Sequence, residues 1–302
     1  MGDDQMKKQQ GPGCATDSGK RHEGRQGTGV RTGTEWQTEG DGWVALDKPP
    51  FVPFPSPLTP VYVVRRANRF VVEATDETGK KWSLHLPNSG RMQELLTPGT
   101  PGLAHFHGRA GRRTAGTLLL VRYAGRWVSV DAHMPNRLFA QALKERALPP
   151  FHPYTCWRGE TAVAGVRLDF WLTAGRPAED AGPAGTAELA EAIMHPVPDC
   201  FVETKSCNLV EDGVALFPDA PTERGTRHVD VLASLVEKGH RSAVVWFVQR
   251  DDARYLRPHR AADPAFADAL VRAVAVGVEV YAYLCRVTPA GIRVLGTIPV
   301  KL

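Results

Sequence analysis

The hydrophobic period of this chain changes at about residue 136, and that change constrains the fold more than any other feature. Between about residues 61 and 131, apolar residues alternate in short runs separated by turn residues: VYVVRR, RFVVEAT, KKWSLHLP, GLAHFHG, TLLLVRY and RWVSVDA. Five or six short strands over about 70 residues indicate a small β-barrel. From residue 136, NRLFAQALKER spaces its apolar residues for a helix. A chain of 302 residues also suits two domains, so we expect a barrel followed by a domain of another class.

The barrel is predicted to be OB-like and to span residues 56–132. A short helical turn from Ser89 to Leu96 is expected between its strands, because Ser89 follows Pro87 and Asn88 and suits a helix N-cap. A helix inserted among barrel strands is typical of the OB fold, whose face commonly binds oligonucleotides. The barrel is therefore predicted to bind nucleic acid.

Residues 1–55 are rich in Gly, Gln, Asp, Lys and Thr and have almost no apolar periodicity. Such a segment buries too little apolar surface to offset the entropy lost on ordering. We predict a disordered N-terminal tail over residues 1–55, with a proline-rich lead-in and a folded chain that begins near Val61.

Residues 133–302 alternate helices and strands. Helices are predicted at 136–146 with Asn136 as cap, after Thr222 up to Gly239, and at 265–274 with Asp263 as cap. The strands between them are ETAVAG, VRLDFWL, CFVETKS, SAVVWFVQ and VEVYAYLCRV. The order α, β, β, β, α, β, α, β describes an α/β domain with a mixed sheet, and the polar stretch 173–198 is interpreted as an insertion without chemistry.

Three residues of this domain suggest a metal site. Glu203 and Lys205 point to the same face of a strand and Thr204 to the other, because side chains alternate along a strand. If VRLDFWL pairs with CFVETKS, Asp169 lies opposite them, and the two carboxylates suit Mg²⁺ or Mn²⁺. The ion would polarise a phosphate while the Lys205 ammonium stabilises the transition state. Asp169, Glu203 and Lys205 are therefore predicted as catalytic residues, with Asp169 and Glu203 as metal ligands.

A lone E-x-K in a strand is more often a solvated pair than a site. Here the acid lies in the middle of three consecutive strands and E-x-K ends the next, before a helix. This arrangement resembles the αβββαβ core of PD-(D/E)XK restriction-endonuclease-like nucleases. Glu160, on the preceding strand, is a weaker candidate for an additional carboxylate. His228 and His240 lack partners at metal-ligand spacing and are predicted to be surface or core histidines.

The basic residues are concentrated in the barrel segment. From Ser56 to Arg137 there are 12 Lys or Arg and 5 Asp or Glu, a surplus of +7, whereas the first 55 residues carry 7 minus 8, or −1, and the remainder carries 18 minus 20, or −2. Such a surplus is typical of polyanion binders, although a solvated basic surface is nearly as common. The residues predicted to contact nucleic acid are Arg65, Arg66, Arg69, Asn88, Arg91, Arg112, Arg113, Arg137 and Arg224. Trp82, Phe106, Tyr123 and Trp127 would stack on bases only if they faced outward.

Longer segments resemble one family. HLPNSGRMQELLTPG, SVDAHMPNRLFAQAL, VRLDFWL, FVETKSCNLVEDGVALFPDAPTERGTRHVDVL and VVWFVQRDDA are similar to the sugar fermentation stimulation protein A family. The resemblance implies an OB-like barrel, a PD-(D/E)XK-like domain, and DNA binding linked to the regulation of sugar utilisation genes. Asp169, Glu203 and Lys205 match the motif of the nuclease-like domain.

These observations lead to three functional hypotheses. The first is a DNA-binding protein with a nuclease-like metal site, and the alternative is an active Mg²⁺- or Mn²⁺-dependent nuclease acting on DNA or RNA. The third is a scaffold for a regulator, in which the acidic and basic residues are a relic of a nuclease site. The five separated cysteines form no C-x-x-C pair, and the sequence shows neither a secretory signal nor a membrane span. We therefore expect reduced thiols, a cytoplasmic location and no membrane partner, with a homodimer as one option for the oligomeric state.

Overall fold

The computed structural model describes residues 13–14 (backbone only), 43–108, 113–175 and 197–302. Three short strands precede the barrel: β1 (Gly13–Cys14), β2 (Val44–Ala45) and β3 (Phe51–Pro53). Six strands follow: β4 (Thr59–Asn68), β5 (Val71–Thr75), β6 (Lys81–His85), β7 (Pro101–Phe106), β8 (Gly116–Tyr123) and β9 (Arg126–Ser129). All six runs predicted from the alternating pattern are therefore strands.

Five of these strands close a barrel. They hydrogen-bond in the order β6-β5-β4-β7-β8, and a parallel pairing between β6 and β8 closes the ring, with β9 added outside on β8. The inward side chains form a dry core of Val, Leu, Ala and Met, among them Val72, Leu84 and Leu118. Ala124 and Gly125, with positive φ at both positions, form the tight β8–β9 turn that two-residue hairpins favour.

The second half of the chain forms an α/β domain. Its helices are α1 (Met134–Lys144), α2 (Glu223–Glu237) and α3 (Pro264–Ala275). Its strands are β10 (Cys156–Val163), β11 (Val166–Thr173), β12 (Cys200–Cys207), β13 (Val210–Glu211), β14 (Val214–Phe217), β15 (Arg241–Val248), β16 (Tyr255–Pro258), β17 (Glu279–Thr288) and β18 (Gly291–Ile298). The helices and the long strands follow the predicted order α, β, β, β, α, β, α, β as far as β17, and β18 is a further long strand that was not predicted.

The long strands make one mixed sheet with helices on both faces. Its order is β1-β10-β11-β12-β15-β17-β18-β2, with β12, β15 and β17 parallel and the other long pairs antiparallel. Helix α1 packs on one face with Phe139 against Phe170, and α2 and α3 cover the other face with residues such as Leu232 and Phe266. Strand β15 is buried throughout except at its first residue, as its uninterrupted apolar sequence predicts.

The folded chain begins before Val61, which corrects the predicted tail over residues 1–55. Strands β2 and β3 pair with β18, and Leu46, Val52 and Phe54 are buried in the core of the α/β domain. The hydrophobic pattern of the sequence does not reveal these strands, because each has only two or three residues, too few to show an alternation. Of the predicted tail, residues 1–12 and 15–42 lie outside the described residues. So do residues 176–196 of the insertion predicted at 173–198.

The helical turn predicted from Ser89 to Leu96 is shorter than expected. A single turn begins at Met92, and the amides of Leu95 and Leu96 both donate to the Met92 carbonyl at 3.1 Å. Met92 has a positive φ of 46°, which prevents the turn from extending back towards Ser89. Ser89 therefore caps nothing.

Two of the three predicted helix caps, Thr222 and Asp263, are present, and the third, Asn136, is not. Thr222 Oγ1 accepts from the Gly225 amide at 3.0 Å, and Asp263 Oδ1 accepts from the Phe266 amide at 2.9 Å, as predicted. Helix α1 instead begins at Met134 with Pro135 in its first turn, because proline fixes a helical φ and lacks the N–H that would be unsatisfied there. Asn136 thus lies inside the helix, and its side chain is available for another contact.

The two domains meet at the loop that follows β6. Asp219 Oδ2 accepts from the Met92 amide at 3.0 Å, and a Cβ on Gly90 would lie 2.6 Å from the same oxygen. The Asn208 side chain donates to the Ser129 carbonyl at 3.3 Å. A Cβ at position 90 would displace the Asp219 carboxylate, so the barrel loop docks closely on the α/β domain.

Candidate functional site

A cleft of about 680 Å³ lies between the barrel loops and the α/β sheet. Its walls come from the β4–β5 turn and the 85–90 segment on the barrel side, and from β11, β12 and the start of α2 on the other side. The structure brings all four predicted catalytic residues to this cleft: Glu160, Asp169, Glu203 and Lys205. The pairing of β11 with β12 that this required is present, with Phe170 opposite Val202.

Asp169 is held by three hydrogen bonds. Its Oδ1 accepts from Asn136 Nδ2 at 2.8 Å, and its Oδ2 accepts from the Thr204 amide at 2.8 Å and from Thr204 Oγ1 at 2.9 Å. Thr204 Oγ1 also lies 3.2 Å from Asn136 Oδ1. These contacts fix the carboxylate between β12 and α1 and leave one lone pair of Oδ1 for another partner.

Glu203 and Lys205 form a pair inside the cleft. Lys205 Nζ donates to Glu203 Oε1 at 2.5 Å, and the two side chains are only 13% and 5% exposed. The second carboxylate oxygen, Glu203 Oε2, is buried and has no hydrogen-bond partner. A buried acceptor without a donor is costly, so Oε2 is the atom of this site that most needs a ligand.

His228 is the residue of the site that the sequence did not reveal. Its Nδ1 lies 2.5 Å from Glu203 Oε1, without the geometry of a regular hydrogen bond. Its Nε2 accepts from Arg224 Nε at 3.3 Å. Because a guanidinium only donates, Nε2 is the acceptor in this contact, and this assignment places a proton on Nδ1, facing the carboxylate.

The surroundings shift the pKa values of Asp169 and Glu203 in opposite directions. Burial raises the pKa of Asp169, and the negative charge of Glu203 raises it further. Burial also acts to raise the pKa of Glu203, but Lys205 and His228 outweigh it, and the pKa lies below its usual value. Glu203 is therefore the more acidic of the two, and Asp169 is the one whose charge a bound cation would stabilise.

Glu160 reaches the cleft by an unusual backbone path. It falls between the β10–β11 pairs Gly159–Phe170 and Thr161–Leu168, opposite Asp169, with a positive φ of 53°. Its side chain is 71% exposed and lies 3.4 Å from Arg167. Glu160 is thus near the site but solvated.

Arg65 and Arg66, both predicted to contact nucleic acid, have other partners. Arg65 makes a two-bond ion pair with Glu73 at 2.5 and 2.8 Å. Arg66 uses all five of its N–H groups on the main-chain carbonyls of residues 68, 69, 88, 90 and 91. With no donor left for a phosphate, Arg66 acts as a clip that joins the β4–β5 turn to the 88–91 loop.

The other predicted contacts are spread over several surfaces. Arg69, Asn88 and Arg224 line the cleft, where Asn88 Oδ1 accepts from the Gly90 amide at 2.8 Å. Arg91 and Arg113 are exposed outside it, and Arg137 donates to the Pro53 carbonyl at 3.1 Å. Arg112 lies outside the described residues. The cleft therefore gathers three of the nine, plus Arg167, which was not predicted.

The free oxygen atoms of the site fit a small, hard cation. Asp169 Oδ1 and Glu203 Oε2 retain lone pairs, and carboxylate oxygen is the ligand that Mg²⁺ and Mn²⁺ prefer. Within the described ranges, no group of three or more His, Cys, Asp or Glu side chains is placed to hold an ion by itself. Water or phosphate oxygens would have to complete the shell, as is usual for Mg²⁺.

Two domain families match the chain. Residues 64–130 match the family described as SfsA N-terminal OB domain, and residues 133–291 match the family described as Sugar fermentation stimulation protein RE domain. Together with the closed five-stranded ring, the first match shows that the barrel is an OB domain. In the described part of the chain, no helix is long and apolar enough to cross a membrane.

Similar proteins match most of this chain and nearly all of their own length. A sugar fermentation stimulation protein homolog from Symbiobacterium thermophilum is 41% identical over 79% of this chain and 93% of its own. A homolog from Moorella thermoacetica is 39% identical over 83% of this chain and 100% of its own. The structure of SfsA from Pyrococcus furiosus in complex with Ca²⁺ is similar with a TM-score of 0.71 and 26% identity, covering 84% of this chain and 99% of that one.

Proposed function

The chain belongs to the sugar fermentation stimulation protein family, and on that premise we propose that it is a DNA-binding protein whose cleft is a nuclease-like metal site. One observation carries the proposal. The buried Glu203 Oε2 has no donor and belongs to an acid already paired with Lys205, in a cleft bordered by Arg69, Arg167 and Arg224. An unsatisfied carboxylate oxygen among cations suits a metal ion that a phosphate then bridges.

The order of elements supports a PD-(D/E)XK-like assignment for the second domain. Helix α1, the strands β10, β11 and β12, helix α2 and strand β15 occur in the order of that core, with the short strands β13 and β14 between β12 and α2. Asp169 on β11 and the Glu203-Thr204-Lys205 run on β12 take the positions of its acids and lysine. RNA is an alternative ligand, since phosphate recognition does not by itself distinguish the two.

Asp169 and Glu203 are the residues that would hold Mg²⁺ or Mn²⁺. When bound, such an ion lowers the pKa of a coordinated water and stabilises charge on a phosphate. The related protein from Pyrococcus furiosus was solved in complex with Ca²⁺, another cation that prefers oxygen ligands, which agrees with metal binding as part of the proposed function.

The chain's own groups have separate tasks in this proposal. Asn136 and Thr204 orient Asp169, while Lys205 and His228 orient Glu203. The Lys205 ammonium, 13% exposed at the cleft, also stabilises negative charge on a phosphate. The family description links these proteins to sugar fermentation, and we propose regulation of sugar utilisation genes through DNA binding as the cellular role.

DNA binding is tested by its dependence on salt. Several phosphate contacts make log K fall steeply with log salt, by about 0.9 per contact on duplex and about 0.7 on single strands. Fluorescence anisotropy of the full chain with short DNA between 50 and 200 mM salt, on the order of the range where such losses are measured, gives this slope. Affinity that does not change with salt would overturn the proposal.

An active nuclease is the second candidate, favoured by the Lys205–Glu203 contact of 2.5 Å beside Asp169. Pure protein is incubated with single-stranded, duplex and branched DNA, and with RNA, in Mg²⁺ or Mn²⁺. Cleavage that disappears in both Asp169→Asn and Lys205→Ala supports the enzyme. Cleavage that survives in both variants means a contaminating nuclease, and metal binding without cleavage leaves the DNA-binding function alone.

A further inference from the structure

We propose that Phe70 is a base-stacking residue and that the cleft accepts an unpaired nucleotide, so that single-stranded nucleic acid is its ligand class. The inference rests on the proposed function and specifies its substrate. It comes from the position of one exposed aromatic ring, which no sequence motif indicated.

Phe70 has an unusually exposed ring for an aromatic residue of the described ranges. Among the Phe, Tyr and Trp residues of the described ranges, only Phe70 (46%) and Tyr62 (41%) are exposed. Phe70 lines the cleft that contains Asp169 and Lys205, whereas Tyr62 does not. The aromatic residues first considered for stacking, such as Trp82 and Phe106, are partly buried against the barrel core.

The backbone around Phe70 is fixed from three sides. The Phe70 amide donates to Asn68 Oδ1 at 2.9 Å, and the Phe70 carbonyl accepts from the Leu86 amide at 2.8 Å. The Arg66 clip donates to the Arg69 carbonyl at 2.7 Å. The ring therefore projects from a rigid turn, and binding to it costs little conformational entropy.

Charges around the ring select a polyanion that carries planar groups. The Arg69 guanidinium lies 5.5 Å from the Phe70 ring centroid, and Lys205, Arg167 and Arg224 line the same cleft. Lys205 and Arg167 are paired with Glu203 and Glu160, so Arg69 and Arg224 are the cations that a phosphate would meet. A nucleotide satisfies both features, because its phosphate meets the cations while its base lies on the ring.

The base must be unpaired for this contact. In a duplex, the face of each base is covered by its neighbours, so a side chain reaches that face only in a single strand or after the nucleotide is flipped out. The cleft volume of about 680 Å³ falls in the range of about 300–1,000 Å³ typical of small-ligand pockets. That size suits one or two nucleotides rather than a double helix.

The experiment compares Phe70→Ala with Tyr62→Ala in the full chain. Fluorescence anisotropy is measured in chelator with a labelled single strand, its duplex, and an abasic strand of equal length and charge. Phe70→Ala should weaken binding to the single strand by roughly 5- to 100-fold, the effect expected of one stacked base. Binding to the duplex and the abasic strand should change by less than about twofold, and Phe70→Trp should restore affinity.

Each result of this experiment either supports or overturns the stacking role of Phe70. Tyr62→Ala should leave all three affinities unchanged, since its exposed ring lies outside the cleft. Equal losses on abasic and normal strands would show a structural role for Phe70 and overturn the inference, as would no loss at all. If the wild-type chain binds DNA and only the Phe70 effect is missing, the proposed function stands; if it binds no nucleic acid, both fall.

Discussion

Replacing Arg66 by methionine should destabilise the protein far more than the same change at its neighbour Arg65. The Arg66 guanidinium donates to five main-chain carbonyls, and burial, the largest influence on it, lowers its pKa. Arg65 is paired only with the exposed Glu73. Methionine keeps most of the aliphatic stem in both variants, so their difference isolates what the guanidinium contributes.

The loss expected for Arg66→Met is about 2–4 kcal/mol of unfolding free energy. The bonds to the Gly90 and Asn88 carbonyls are part-buried, and each should contribute about 1–1.5 kcal/mol. The other three bonds lie at the surface, where water replaces the donor and only a few tenths of a kcal/mol remain for each. The exposed Arg65–Glu73 pair should contribute about 0–1 kcal/mol.

Urea unfolding of the full chain at pH 7 measures both variants against the wild type. A difference between Arg66→Met and Arg65→Met of less than about 1 kcal/mol would refute the clip. Arg66→Met should also leave the slope of log K against log salt unchanged, because no donor is free to meet a phosphate. A smaller slope would return Arg66 to the phosphate contacts.

Lys205→Met should lower the unfolding free energy by about 2–4 kcal/mol at pH 7 and by less at pH 4. Because the pKa of Glu203 is lowered in the folded protein, its ionised carboxylate stabilises the fold at pH values above the pKa of the unfolded chain, about 4.3. This stabilisation is lost as the pH falls through the folded-state pKa. Equal losses of unfolding free energy in urea at pH 7 and pH 4 would contradict this reasoning. His228→Leu should weaken Mn²⁺ binding about 10-fold or more. His228→Asn keeps a donor near the position of Nδ1 and should retain most of the affinity. If calorimetry shows the same loss of Mn²⁺ affinity in both variants, His228 has no positioning role. Gly90→Ala should cost about 1–3 kcal/mol, because its Cβ would lie 2.6 Å from Asp219 Oδ2; an unchanged thermal midpoint would mean that the junction adapts.

The meeting of Glu203, Lys205 and Asp169 was predictable because it depends on two local rules. Strand alternation puts Glu203 and Lys205 on one face, and consecutive antiparallel strands put Asp169 beside them. Both rules use only neighbours in sequence, so one chain suffices to apply them. All three residues line the cleft, but Asp169 bonds to Thr204, which the alternation rule placed on the other face; the catalytic and metal-binding roles stay predictions.

The partners of these residues depend on contacts that a strand pattern does not encode. Asn136 reaches Asp169 only because Pro135 starts α1 earlier than the apolar spacing indicates. His228 interrupts the buried face of α2 just before Val229, and a polar residue in an apolar stripe is a signal that could have been used. The role of Arg66 was hidden by irregular pairing on both sides of it, between 63 and 65 and between 66 and 68, where alternation fails.

The pairing of β2 and β3 with β18 makes the barrel an insertion within the α/β domain rather than a module placed before it. Arg293 Nη1 donates to the Pro49 carbonyl across 244 positions of the chain. During synthesis the barrel can fold as soon as it emerges, but residues 44–53 must wait, unpaired, until the last strand is made. A truncation at residue 56, chosen to remove a supposed tail, would instead open the edge of β18 and leave a sheet margin prone to association.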